Sequence, residues 1–112
     1  GNNTTAIFNT VVGFEGMLAN TTGQYNVAVG GQALASNTTA SDNTAIGTAA
    51  LFPNTTGTLN TAVGSASLRQ NTTGSSNTAL GQSALNKNTT ASSNTAVGYQ
   101  AGYTQIPQAL KT

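Results

Sequence analysis

Five ionisable side chains, Glu15, Asp42, Arg69, Lys87 and Lys111, together with three tyrosines, carry all the acid–base chemistry this chain can offer. There is no histidine and no cysteine. Paired carboxylates that act as general acid and base must stand a few ångströms apart across a bond. Glu15 and Asp42 are too distant in sequence for one turn to hold both. With no imidazole, no thiol and no pattern for an activated nucleophile, catalysis is not expected. Metal binding is not expected either, since Asn and backbone carbonyls without carboxylates make poor sites. The recurrent V-G-x-x-A stretches lack the Lys and the βαβ context of a phosphate loop, so no cofactor is expected.

The net charge is +1 over 112 residues, with three basic and two acidic groups. No basic patch is available to neutralise phosphates, which argues against nucleic acid. Apolar runs are a few residues long, so membrane insertion is not expected. Without Cys there is no disulfide framework and no thiolate ligand set. The chain starts at Gly1 with neither Met nor signal peptide, as a mature product or a piece of something longer would.

Those few charged groups sit on a strongly repetitive scaffold. A period of 17 runs without insertion or deletion across residues 3–102, with a partial coil over 3–8 and coils starting at Asn9, Asn26, Asn43, Asn60, Asn77 and Asn94. The consensus is N-T-A-V-G-x-x-A-L-x-x-N-T-T-(G/A)-x-x. A second invariant column is Asn3, Asn20, Asn37, Asn54, Asn71 and Asn88, and the glycine column is Gly13, Gly30, Gly47, Gly64, Gly81 and Gly98. Two adjacent Thr columns begin at Thr4 and Thr5.

Such units are too short for a helical hairpin repeat of about 34 residues, and Thr, Asn and Gly are weak helix formers. Each unit holds two short extended segments, T-A-V and the stretch around A-L, separated by turn-prone residues. The glycine column supplies a turn at positive φ. The expectation is an all-β fold, a parallel β-solenoid or β-roll with one unit per coil. Residues 1–102 form the repeat domain, and 103–112 a cap, linker or subunit junction in which Pro107 blocks further strand pairing.

Coils of a parallel solenoid stack about 4.8 Å apart, so like residues lie over like. Both Asn columns are therefore expected to form amide ladders along the axis. Every N-T-T is also a formal N-glycosylation sequon, but an Asn buried in a ladder is closed to modification. Inside the coil, the fourth column (Val12, Val29, Ile46, Val63, Leu80, Val97) and the ninth (Met17, Leu34, Leu51, Leu68, Leu85) are expected to meet. Neighbours on a strand point opposite ways. The third column, Val11, Ala28, Ala45, Ala62, Ala79 and Ala96, is then expected to face outward as a subunit interface. On that basis a homo-oligomer is expected, closed by rotational symmetry.

The stretches NTAIGTAAL from Asn43 and NTAVGYQAG from Asn94 resemble the head repeats of YadA-type trimeric autotransporter adhesins. Closely similar arrays occur in phage tail-fibre-like proteins. The resemblance implies a left-handed β-roll and three chains around one axis. It also implies adhesive or spacer duty at the cell surface, outside the cell or on a virion, against a surface glycan or matrix protein. The adhesin coil is shorter, and the N-T-T segment is the addition here.

The phase of the repeat at the two ends suggests head-to-tail stacking into a fibre. Partner-specific contacts are expected at the variable turn pairs, where Phe14, Glu15, Phe52, Pro53, Arg69, Gln70, Asn86, Lys87 and Tyr99 fall. An alternative function follows from the Thr columns: a regular Thr ladder on a flat face with few charges suits ice binding.

Overall fold

The computed structural model describes residues 7 to 104. Six three-residue strands, β1 (Thr10–Val12), β2 (Val27–Val29), β3 (Thr44–Ile46), β4 (Thr61–Val63), β5 (Thr78–Leu80) and β6 (Thr95–Val97), form one parallel sheet in chain order. Every pairing is in the same register, as in Ala45↔Ala62 and Ala62↔Ala79, so each coil is one repeat unit. The result is an all-β solenoid of about five turns, with no helix among the described residues. Residues 3–6 of the partial coil over 3–8, including the first ladder residue Asn3, lie outside the described residues, as does the segment 105–112 with Pro107 and Lys111.

Beyond the strand, each coil turns through residues of unusual backbone geometry. In the coil from Asn26, Gly30 has φ 125°, while Gln32, Leu34 and Asp42 sit at φ 62°, 52° and 64°. L-residues in that region cost roughly 1–2 kcal/mol each, so something must hold them there. Axial hydrogen bonds do. The Gln32 N–H donates down to Phe14 O at 2.7 Å, and the Leu34 N–H donates up to Ala50 O at 3.1 Å. Each left-handed corner thus aims its amide along the axis and keeps the ladder running outside the strand. A tight turn precedes the first such pair, closed by the Ala33 N–H on Gly30 O at 3.2 Å.

At the glycine column two requirements coincide. Gly47 has φ 132°, which L side chains rarely adopt, and a Cβ there would fall 2.6 Å from the Gly64 carbonyl carbon. The coils stack too closely at this corner for any side chain.

The core runs up the middle of the rod. Leu34, Leu51, Leu68 and Leu85 are fully buried, capped by Met17. Opposite them stand not the fourth-column aliphatics but the third-column alanines. Ala28, Ala45, Ala62 and Ala79 have no exposed surface and Ala96 has 3%. The expected outward interface is therefore the inner wall, apart from Val11 on the first rung, which is 43% exposed. The fourth column faces outward instead, with Val12 at 60%, Ile46 at 39% and Val97 at 49% exposed.

The reason is thickness. A slab filled by Leu from one wall and carboxamides at its edge leaves room for one methyl group from the other wall. Pairing large with small lets a thin layer pack without strain. Because side chains alternate with period two, a shift of one residue exchanges the two faces completely.

Candidate functional site

Two rows of buried amides define the interior chemistry. In the second Asn column each carboxamide passes a hydrogen bond down the axis. Nδ2 of Asn37, Asn54, Asn71 and Asn88 donates to Oδ1 of the Asn one coil below, at 2.9, 3.0, 3.0 and 2.9 Å. The remaining N–H of each caps its own coil three residues on, as Asn54 does to Gly57 O at 2.9 Å.

The first Asn column works differently from an amide-to-amide ladder. Asn43 Oδ1 accepts the backbone N–H of Asn60 at 3.0 Å, and Asn43 Nδ2 donates at 2.8 Å to Gly57 O, near the end of its own coil. Asn26, Asn60 and Asn77 repeat the pattern. The two columns meet at one acceptor per coil. Gly57 O takes Asn54 Nδ2 and Asn43 Nδ2 on its two lone pairs. That shared carbonyl accounts for both invariant Asn columns and for the three-residue spacing from the N-T-T Asn to the carbonyl it caps.

The array is interrupted at its upper end. Asn94 Nδ2 turns to Asn88 Oδ1 at 3.0 Å, and Asn94 Oδ1 is buried with no hydrogen-bond partner among the described residues. In every lower coil this oxygen receives the backbone N–H of the next Asn, as Asn77 Oδ1 receives that of Asn94 at 2.9 Å.

The ionisable residues are scattered over separate corners. Glu15 accepts a hydrogen bond from Gln32 in the coil above at 3.0 Å, and Asp42 lies exposed on another corner. Among the described residues there is no group of three His, Cys, Asp or Glu that could hold a metal. Both described cations lie over rings. The Arg69 guanidinium sits 4.4 Å from the centre of Phe52, and Lys87 Nζ sits 5.6 Å from that of Tyr103. These pairs line one variable corner. Phe14 and Tyr99 project at a second, and a third carries Phe8 and Tyr25 stacked at 5.1 Å. The variable turns do present exposed aromatics, but on separate corners, Phe14 and Tyr99 singly at opposite ends and Phe8 with Tyr25 as one stacked pair, rather than as one cleft.

The most regular surface is the outer face of the sheet, which was expected to be interior. One column there is Thr10, Val27, Thr44, Thr61, Thr78 and Thr95, and the other is the fourth-column aliphatics. Period-two counting from the buried Asn43 would have found it, because Asn43 and Ala45 share the inner face. The axial bonds beside this face repeat without drift. The N–H of Gly30, Gly47, Gly64, Gly81 and Gly98 each meets the carbonyl below at 2.7 Å.

No family model, curated protein or solved structure matches the chain.

Proposed function

We propose that this chain is a stiff structural segment of an extracellular or virion fibre, lengthened by stacking of further coils along its axis. One observation carries the reading: the Oδ1 of Asn94 at the β6 end of the ladder is buried and has no partner among the described residues. Leaving a buried acceptor unmade costs about 1–3 kcal/mol. A further rung presenting a backbone N–H in the same register removes that cost. The six strands already show that this register propagates by translation.

Lateral trimerisation was expected because the alanine row was placed outside. With Ala28, Ala45, Ala62 and Ala79 in the core, that ground is gone, and the proposal rests on axial contact alone. Adhesive duty belongs to the exposed aromatics of the variable turns, such as Phe14 and Tyr99. Their isolation from one another fits shallow contact with an extended surface better than capture of a small molecule.

Electron microscopy and sedimentation of the intact protein over a range of concentrations test the assembly. Rods of graded length, lost in a variant with Thr95→Pro at the β6 edge, are expected. Discrete particles of one chain at every concentration would overturn it.

A further inference from the structure

The outer face of the sheet is neutral, ribbon-shaped and regular. No charged residue occupies either of its two columns, which run from Thr10 and Val12 to Thr95 and Val97. Thr and Val are nearly isosteric, so four of the six rungs present methyl groups at a common height, above which Ile46 and Leu80 project. The hydroxyls of Thr44, Thr61, Thr78 and Thr95 make no hydrogen bond to the described residues and point to water. The rungs repeat at about 4.8 Å along the axis, and the two columns stand about 6.7 Å apart across each strand. Both spacings lie close to repeats of water oxygens in hexagonal ice.

We infer that this Thr–aliphatic ribbon binds ice: its methyl rows order water into a cage, and its free hydroxyls anchor that cage at lattice spacing. Fixed rows suit a crystalline partner because the stacked backbone leaves nothing to rearrange when water freezes onto them. Apolar groups with no hydrogen-bonding option already restrict the orientations of first-shell water. A second copy of the chain is the competing occupant, and the area argues against it. Six rungs of two columns cover roughly 200 Å², well below the roughly 800 Å² per partner of a stable interface. The exposed second Thr of each N-T-T segment, such as Thr56, makes a poorer platform, since these residues form a single row beside irregular backbone.

The inference does not rest on the fibre reading, because hysteresis reports adsorption to ice whereas stacking is read by sedimentation. The experiment is thermal hysteresis and ice-crystal morphology with the full chain. A gap between melting and freezing, with faceted crystals, is expected for the unaltered protein. Thr61→Lys should abolish it, and Thr56→Lys on the other face should leave it intact, with circular dichroism confirming that both variants fold. Leu80→Thr separates the occupants, since removing a protruding side chain should widen the hysteresis gap but weaken contact with a protein. No hysteresis in the unaltered chain, equal loss in both lysine variants, or a native mass that falls to one chain on Val63→Lys would each overturn the assignment.

Discussion

Replacing Asn54 by Ala tests the ladder at its midpoint. Asn54 is fully buried, donates to Asn37 Oδ1 and Gly57 O, and accepts from Asn71 Nδ2. Truncation leaves Gly57 O satisfied, because Asn43 Nδ2 still reaches it at 2.8 Å. Asn37 Oδ1 and one N–H of Asn71 are left without partners in a water-free interior. At about 1–3 kcal/mol for each orphaned group, the expected loss is about 4 kcal/mol. Against a total stability of about 5–15 kcal/mol that is a large fraction. Denaturant unfolding followed by far-UV circular dichroism measures it, with exposed Thr56→Ala as the control, expected to cost under about 0.5 kcal/mol. Repeat arrays can open locally without global unfolding, so amide exchange should also rise first in the coils on either side. A loss below about 1 kcal/mol at Asn54, or one equal to that at Thr56, would refute the argument that the shared-acceptor network holds the coils together.

Three further outcomes follow from the packing. Ala62→Leu forces a large side chain into the filled inner wall and should cost about 1–3 kcal/mol, while Val63→Ala on the outer face should cost less; the reverse order in denaturation midpoints would contradict the assigned phase. Gly47→Ala meets both a forbidden φ and a backbone contact at 2.6 Å and should destabilise strongly, whereas Gly31→Ala, with open space around it, should be nearly neutral in the same assay. An oligosaccharyltransferase offered the folded protein should leave the Asn37, Asn54, Asn71 and Asn88 sequons unmodified and act on them only after denaturation, as intact-mass measurement would show.

The repeat alone determined the coil length, the parallel stacking and the alignment of like residues, because a fixed period in a chain of turn-formers has one economical solution. It also marked the two Asn columns and the glycine corner as positions where stacked backbones leave no alternative residue. What it did not reveal was which way the strand faces. T-A-V carries small and medium apolar groups on both sides, so hydropathy gives no alternation to read, and size alone points the larger side chain inward. Only the assembled cross-section, with Leu68 and the amides filling the slab, showed that Ala62 fits inside and Val63 does not. The left-handed corners were equally hidden, since Leu51 and Ala49 carry no local signature for positive φ and adopt it only because axial hydrogen bonds to neighbouring coils hold them there.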